Sequence, residues 1–361
     1  MKGQLRAASS QLPARPEPSR PVQSPVQRMD AESEPLKARS YFPENRELRT
    51  SASCVLIKGM TDSELEQARA QKWRLDGHPV RTLEDARAFT ESVGFSLLYP
   101  VKPRVLVPTF IGAWVGGDDR LPTWQHAFAD PRAQQAKEMM VRLLRERAAF
   151  EASLFDENNA FLVAASVFPY FYALVGERNP KLPPKSGPRS EYSNLACDAY
   201  EVIRREGPIS KQKMIETLGG SVSGAALERA LAELWSRLRI TRVDYKSSEG
   251  AFWDVLYRWA PDAVREGISL SVGEALTGLL SKYLESVVAA DQLEVEAFFG
   301  KIVPRSRVQE AIKALLAARE LSFVHVGNRS LIQVSPPRGA PIPAEGPARS
   351  TTRSAGIPRR S

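Results

Sequence analysis

The chain has 361 residues, of which 43% are hydrophobic and 25% are charged, and this length is sufficient for two or three domains with packed cores. No apolar run approaches the roughly 20 residues that a membrane helix requires, the N-terminus lacks the apolar stretch of a signal peptide, and two cysteines are too few for a disulfide framework. These features predict a cytoplasmic protein, which would be nucleoid-associated if it binds DNA.

The formal charge of +8 is concentrated in the two ends of the chain. Residues 1–50 hold nine Lys or Arg and six Asp or Glu, and residues 338–361 hold five Arg and one Glu. Both ends are rich in proline and of low complexity, which predicts a disordered leader over 1–50, with Met29 as an alternative start, and a disordered basic tail over 336–361. The net charge of the remaining residues therefore gives no support to nucleic-acid binding by the folded core.

Residues 51–180 are predicted to form a helical N-terminal domain, with a degenerate winged-helix unit as one interpretation. Thr61-x-x-Glu64 and Thr82-x-x-Asp85 are capping signals that predict two helix starts. Two further helices are predicted over 130–150 and 157–175, with a Pro/Gly-broken stretch between the capped and the later helices. The aromatic run FPYFY, Trp114 and Trp124 are predicted core residues. A linker is predicted over 181–192, around the Pro-rich segment NPKLPPKSGPRS.

Residues 193–262 have the pattern of a winged-helix unit, in which three helices precede a β-hairpin. NLACDAYEVIRREG and ISKQKMIETLGG predict two helices, and the third carries leucines at helical spacing, namely Leu227, Leu231, Leu234 and Leu238. ITRVDYKS and AFWDVLYRW alternate like two strands, so Trp253, Val255, Tyr257 and Trp259 are predicted to share one strand face.

The same pattern returns in residues 270–335, which predict a second winged-helix unit. SVGEALTGLLSKYLESV, LEVEAFFG and PRSRVQEAIKALLAARE predict three helices, and Ser306-x-x-Gln309 predicts a capping box on the third. LSFVHV and SLIQV predict two strands joined by a tight turn. The predicted fold class is mainly α with small β-hairpin wings, in which tandem winged-helix units follow a helical N-terminal domain.

Winged helices bind DNA or serve as packing and protein-interaction modules, and the cations of each unit bear on the choice. Arg305 and Arg307 begin the third helix of the second unit, where cations oppose the helix dipole, and this placement favours contact with DNA. In the first unit, DNA binding and a structural role remain open, because its third helix presents Arg229 between two acids. The candidate DNA-binding residues are Lys211, Lys213, Arg229, Arg242, Lys246, Arg305, Arg307, Lys313, Asn328 and Arg329.

Other chemistries lack a sequence signal. The three histidines are far apart and have no zinc-ligand spacing with a cysteine. No phosphate-binding Gly-Lys-Ser/Thr loop and no nucleophile elbow occur. Asp118-Asp119 follows two glycines, and a solvated turn is favoured over a metal site there. We therefore expect no metal and no cofactor.

The tandem units behind a helical region, together with the wing ending WDVLYRWAP, resemble the bacterial AlkZ-like DNA glycosylases over about residues 80–335. That family removes alkylated purines and unhooks interstrand crosslinks, so the resemblance implies double-stranded DNA as the partner. In the family, a leading winged-helix unit carries Gln-hydrophobic-Gln or Gln-hydrophobic-Asp in a short apolar turn, often directly before Pro. The stretch VGFSLLYPV (93–101) matches at Gly94, Pro100 and Val101, which places the two catalytic positions on Leu97 and Tyr99.

Hydrolysis of an N-glycosidic bond requires polar groups that position water and stabilise a cationic sugar. A leucine provides neither, and a tyrosine with an unperturbed pKa of about 10 is a poor base at neutral pH. The resemblance therefore implies a DNA-binding relative without glycosylase activity. One alternative is an active glycosylase with relocated residues, for which Asp118 or Gln125 become candidates if the alignment shifts. The other is a protein-interaction scaffold; the oligomeric state is left open.

Overall fold

Local capping signals fix several helix starts in the structure, which is a computed structural model. Thr61 and Glu64 form a reciprocal capping box, and Thr82 and Asp85 form the second one, as the sequence predicts. Each box satisfies two backbone N–H groups that have no partner within the helix.

The structure describes residues 59–126, 129–154 and 160–336, so the predicted leader and most of the predicted basic tail lie outside the described residues.

The region before the predicted linker combines helices with a three-stranded sheet. Its elements are α1 (Asp62–Lys72), α2 (Leu83–Val93), β1 (Phe95–Leu97), α3 (Phe110–Val115), α4 (Pro131–Arg145), β2 (Ala149–Ala152), β3 (Phe161–Ala164) and α5 (Phe168–Val175). The sheet is antiparallel with β3 in the centre. We call residues 83–164 the leading unit; it has the order helix, strand, helix, helix, strand, strand.

The prediction of one helix over 157–175 is wrong in its first half. Phe161–Ala164 is the central strand of the sheet, paired on both edges, and its four side chains are all buried. A short apolar run that is buried on both faces does not distinguish a strand from a helix by periodicity. The helix begins only at Phe168, and the buried Phe168 and Phe171 confirm that the aromatic run belongs to the core.

The middle unit (residues 194–255) repeats this order of elements. It consists of α6 (Asn194–Glu206), β4 (Ile209–Ser210), α7 (Lys211–Thr217), α8 (Gly224–Ser236), β5 (Ile240–Lys246) and β6 (Gly250–Val255). The strand order β4-β6-β5 corresponds to the order β1-β3-β2 of the leading unit.

The second strand of this wing is shorter than the sequence predicts. It ends at Val255, which pairs with Ile240, the first residue of β5. The N–H of Leu256 still donates to the carbonyl oxygen of Arg239 at 3.0 Å, but the facing chain turns at Leu238, which has a φ of +53°. The chain continues instead into the helices α9 (Leu256–Trp259) and α10 (Pro261–Ser269). Tyr257 and Trp259 therefore lie on a helix and not on the strand face with Trp253.

The last unit (residues 272–334) has the same pattern with a reduced first strand. It consists of α11 (Val272–Val287), α12 (Gln292–Phe299), α13 (Arg305–Ala317), β7 (Leu321–Val326) and β8 (Arg329–Val334). In place of the first strand of the other two units, the last unit has a single β-bridge residue, Ala290, which pairs with Ile332. The two strands are joined by a tight turn in which Gly327 has a φ of +56°, a conformation that glycine adopts without steric cost.

The predicted capping box of α13 does not form. The helix begins two residues earlier than that box requires, with Pro304 at the N-cap, so Ser306 already lies inside the first turn. The side chain of Gln309 instead donates a hydrogen bond of 2.8 Å to the carboxylate of Glu296 on α12.

One hydrophobic core joins the leading and last units, and the middle unit has a core of its own. In the shared core, Phe95 of β1 packs against Phe171, Tyr283 and Phe298 at ring-centroid distances of 5.3–6.2 Å. The fold is thus mainly α with small β wings, as predicted. Within the described ranges, no helix is long and apolar enough to cross a membrane.

The Pro-rich segment predicted as a linker is attached to the folded units at several points. Glu177 accepts hydrogen bonds of 2.7 Å from Arg239 and from the hydroxyl of Tyr192. Arg239, whose side chain is only 2% exposed, also donates to the carbonyl oxygen of Leu182. Because Arg239 belongs to the middle unit, its bonds to Glu177 and Leu182 attach this part of the chain to that unit.

Candidate nucleic-acid interface

A cleft of about 810 Å³ opens between the leading and middle units. The end of β1, α4 and β2 supply one wall, and α8 with the hairpin β5-β6 supplies the other. The face of α8 opposite its buried leucines, which includes Ala225, Arg229 and Ala232, lines the cleft. The volume is within the range of roughly 300–1,000 Å³ that is typical of ligand sites.

The floor of the cleft holds a buried carboxylate. Glu151, on β2, is 1% exposed, and its Oε1 accepts a hydrogen bond of 2.7 Å from Nη1 of Arg242. The hydroxyl of Tyr245 lies 2.9 Å from the other carboxylate oxygen and also accepts a hydrogen bond of 3.0 Å from Arg242. The three side chains therefore form a closed network in which the charge of Glu151 is matched by that of Arg242.

The guanidinium of Arg242 lies against two tryptophan rings that are nearly perpendicular to each other. Its guanidinium carbon lies 4.1 Å from the ring centroid of Trp235 and 4.9 Å from that of Trp253. Such stacking favours a cation electrostatically, and the indole N–H of Trp235 donates to the main-chain oxygen of Glu151 at 3.1 Å. Nη2 of Arg242 has no acceptor among the described residues, and 27% of the side chain is exposed.

Burial and neighbouring charges shift the pKa values of Arg242, Tyr245 and Lys137. Burial opposes ionisation of Arg242, but Tyr245 and Glu151 outweigh it and raise the pKa of the guanidinium above its usual value. Burial raises the pKa of Tyr245 and lowers that of Lys137, against the opposing attraction of Glu151. The ammonium group of Lys137 lies 4.8 Å from the ring centroid of Tyr245.

Leu97 and Tyr99, the positions assigned to the family's catalytic pair, both lie on the wall of the cleft. Leu97 is 3% exposed, and its N–H donates to the carbonyl oxygen of Pro108 at 3.0 Å. Burial raises the pKa of Tyr99 to about 12, and the negative charges of Glu151 and Asp130 add to the effect. Tyr99 is therefore protonated at neutral pH and cannot serve as a base.

Trp124 stands at the cleft with 58% of its surface exposed, so the prediction that it belongs to the core is wrong. It lies in a short 3₁₀ turn, Trp124–His126, directly after the buried Pro122. The side chains of Thr123 and His126 are 3.1 Å apart, and the N–H of Asp130 donates to the carbonyl oxygen of His126 at 2.9 Å. These bonds connect the turn to the start of α4.

The candidate cations of the middle unit divide between the cleft and the outer surface. Lys211, Arg229 and Arg242 line the cleft. Lys213 and Lys246 lie outside its lining and are paired with Glu216 at 3.1 Å and Glu249 at 3.6 Å.

Lys211 pairs with Glu228, and both line the cleft. Arg229 is exposed and has no ion pair with any described residue. Of the charged side chains on the cleft, Arg229 is thus the one that is fully available to an incoming anion.

The candidates of the last unit do not line this cleft. Arg305 and Lys313 are exposed on α13 without an ion pair to the described part of the chain, whereas Arg307 pairs with Glu310 at 3.2 Å. Arg329, in the hairpin, pairs with Asp62 of α1, and Asn328 is exposed at the turn.

The alternative catalytic candidates do not line the cleft. Asp118 and Gln125 are exposed, and neither belongs to its lining. Asp118 is paired with Arg104 at 3.4 Å. Within residues 59–126, 129–154 and 160–336, no three His, Cys, Asp or Glu side chains are grouped as metal ligands would be.

Sequence reasoning missed Glu151 and Lys137. Glu151 did leave a signal, because a lone acid within the apolar run AFEASLF is buried only when it is paired. Lys137 is one of several cations on α4, and no local pattern distinguishes it from the others.

Residues 117–352, well over half of the chain, match the AlkZ-like DNA glycosylase family. The chain belongs to this family. The match begins after β1, so Leu97 and Tyr99 lie before the residues that it covers. Among solved structures, DNA glycosylase AlkZ of Streptomyces sahachiroi is similar, with a TM-score of 0.49 and 11% identity over 76% of this chain and 70% of that one. No curated protein matches the sequence of this AlkZ-like chain.

Proposed function

We propose that this AlkZ-like protein binds double-stranded DNA and that it does not hydrolyse N-glycosidic bonds through the family's catalytic positions. The cleft carries this proposal. It combines cations, exposed aromatic surface and a volume suited to a nucleotide, while the two assigned positions on its wall hold a leucine and a protonated tyrosine.

Phosphate contacts account for the affinity of such a protein. Four cations and three acids line the cleft, but each acid forms an ion pair with a cation of the protein. The pairs are Glu151 with Arg242, Glu228 with Lys211 and Glu249 with Lys246. The unpaired cations supply attraction for phosphate oxygens and position the protein on a duplex without reading its sequence. Arg229 is such a cation in the cleft, and Arg305 and Lys313 are such cations on α13.

The second candidate function is base excision with Glu151 as a relocated carboxylate, because Glu151 is a carboxylate on the cleft floor. In that reaction, a water oxygen would bond to C1′ while the C1′–N bond breaks and its electron pair leaves with the base. Glu151 would accept the proton of the water. The geometry disfavours this role, since both carboxylate oxygens are already engaged by Arg242 and Tyr245 and the side chain is 1% exposed.

Binding and base release are to be measured on the same samples, with a duplex that contains a labile alkylated purine. We expect the full chain to bind the duplex and to release no base above the spontaneous rate. Leu97→Gln combined with Tyr99→Asp should give at most weak release, because the supporting groups of a precise site are missing.

Four single variants separate the alternatives. Base release by the parent that is lost in Glu151→Gln but kept in Tyr99→Phe would establish the relocated carboxylate. Release lost only in Asp118→Asn or Gln125→Ala would place the chemistry outside the cleft. The absence of duplex binding even at low salt would contradict the proposal as a whole and favour the protein-interaction scaffold.

A further inference from the structure

The Pro-rich segment predicted as a linker lies against the middle unit, and we call residues 179–190 the strap. The hydroxyl of Tyr200 on α6 donates a hydrogen bond of 3.4 Å to the carbonyl oxygen of Pro180. Arg239, next to the start of β5, donates to the carbonyl oxygen of Leu182. The strap is therefore attached to the middle unit through its own backbone.

The strap presents three cations to solvent. Lys181, Lys185 and Arg189 follow one another at intervals of four residues, and all three are exposed. None of them forms an ion pair with another described residue, and the strap contains no acid. Residues 51–337 hold 36 Lys or Arg and 35 Asp or Glu, so the charge of this one segment exceeds the net charge of the whole region.

We infer that the strap is a second contact surface for duplex DNA, on which Lys181, Lys185 and Arg189 bind phosphate oxygens. The inference rests on the proposed function, since it assigns a further part of the contact with the same duplex. No residue of the strap belongs to the lining of the cleft. Contacts to phosphates add affinity and fix the position of the protein on a duplex without reading its sequence.

The attachment of the strap makes such contacts more favourable than they would be on a flexible linker. A flexible segment loses backbone and side-chain freedom when it binds, and this loss opposes association. The backbone of the strap is already held by Tyr200 and Arg239, and four of its twelve residues are prolines, whose φ is fixed by the ring. Only the freedom of the three side chains remains to be lost.

A polyanion fits the strap better than a protein partner does. Protein interfaces depend on large anchors, most often aromatic residues or arginine, that are buried in a pocket of the partner. The strap has no aromatic residue, and its one large apolar side chain is Leu182, which is 54% exposed. Phosphate binding depends instead on the number of cations that meet the nucleic-acid backbone.

The experiment measures dissociation constants of the full chain for one fully paired duplex over a series of salt concentrations. Lys181→Ala, Lys185→Ala and Arg189→Ala combined should reduce the slope of the logarithm of affinity against the logarithm of salt concentration by roughly 2 to 3, because each lost phosphate contact contributes about 0.9. Affinity at low salt should fall by roughly tenfold or more. Lys181→Arg combined with Lys185→Arg should retain the slope, because both charges are kept.

The charge-matched control replaces Arg204, Arg205 and Arg265 by alanine. These three cations are exposed as well, but each is paired with an acid, namely Glu201, Glu206 and Asp262. The control removes the same net charge and should leave the slope close to that of the parent. Urea denaturation of both triple variants should give the midpoint of the parent, because none of the replaced side chains is buried.

Four outcomes would contradict the inference. An unchanged slope in the strap variant would overturn it and leave the proposed function intact. An equal loss in the strap variant and in the charge-matched control would also overturn it, because net charge alone would then account for the effect. Tighter binding of polyglutamate than of the duplex, lost in the strap variant, would assign the strap to an acidic protein. Failure of the parent to bind the duplex would overturn the proposed function, and the inference with it.

Discussion

At the scale of single residues, the charge network on the cleft floor is closely constrained by its chemistry. A carboxylate that is 1% exposed is tolerated only when an opposite charge and hydrogen bonds replace its lost hydration. Arg242 and Tyr245 provide both, and they come from a different unit than Glu151 does. The network therefore connects β2 of the leading unit to β5 of the middle unit, and its disruption should affect stability as well as the shape of the cleft.

Glu151→Gln should lower the free energy of unfolding, because it leaves the largely buried Arg242 without a counter-charge. Breaking a buried ion pair costs roughly 3–5 kcal/mol, and we expect about 3 kcal/mol because Arg242 retains some exposure. Urea denaturation of the full chain measures the loss. The control is Asp118→Asn, which breaks an exposed pair with Arg104 and should cost less than about 1 kcal/mol.

Removal of the whole network should be milder than removal of one partner. The triple variant Glu151→Leu, Arg242→Met and Tyr245→Phe leaves no buried polar group of this network unmatched, so it should be more stable than Glu151→Gln. If Glu151→Gln were as stable as the parent, the network would not hold the two units together in the way its geometry indicates.

At the scale of elements, the sequence was informative where the signal is local. The two capping boxes and the leucine spacing of α8 depend on local residues; the boxes are confirmed, and so are Leu227, Leu231 and Leu234 on the buried face of α8. Leu238 is buried but lies beyond the helix, which ends at Ser236, so that part of the prediction is wrong. Most failures occurred where the outcome depends on a distant partner, although the local capping box predicted at Ser306 also failed, because α13 begins at Arg305. β3 is a strand because two other strands flank it, β6 ends where the facing chain turns just before β5, and Trp124 is exposed because no neighbouring element covers its turn. The same dependence hid Glu151, whose partner lies 91 positions away.

The third helix of the last unit is the element on which the proposed phosphate contacts are most concentrated. Arg305→Ala combined with Arg307→Ala should reduce the slope of the logarithm of affinity against the logarithm of salt concentration by about one per lost phosphate contact. It should also weaken duplex binding more than Arg229→Ala does. The melting temperature should stay unchanged or rise slightly, because two cations that oppose the helix dipole are removed.

Arg265→Ala is the matched control for this pair. Arg265 lies on α10 in an exposed ion pair with Asp262, three residues away, much as Arg307 pairs with Glu310 on α13. The control should leave the salt slope unaltered. Equal slopes for the parent and the Arg305/Arg307 variant would remove α13 from the DNA-binding surface.

At the scale of the whole molecule, the first described residues are hydrogen-bonded to the last unit. The N–H of Met60 donates to the carbonyl oxygen of His325 at 2.9 Å, and the indole N–H of the buried Trp73 donates to the carbonyl oxygen of Ser286 at 2.8 Å. The start of the described region is thus attached to the last unit, and the two share one core. Residues 1–50 and 338–361 lie outside these contacts in sequence, and they carry seven of the eight net charges.

Deletion of residues 1–50 and 338–361 should therefore leave a protein that unfolds cooperatively, at nearly the denaturant midpoint of the full chain. Its duplex binding should depend less on salt, because the deleted segments carry most of the net positive charge and such segments attract a polyanion without specific contacts.

A longer deletion, of residues 1–75 in place of 1–50, is the contrasting variant. It removes Trp73, which is 4% exposed, and should lower stability by about 3–5 kcal/mol or more, as large aromatic truncations in a core do. Loss of cooperative unfolding in the shorter deletion would show that the basic ends contribute to the fold. An unchanged salt slope would instead assign the electrostatic part of binding to the cations of the cleft and of α13.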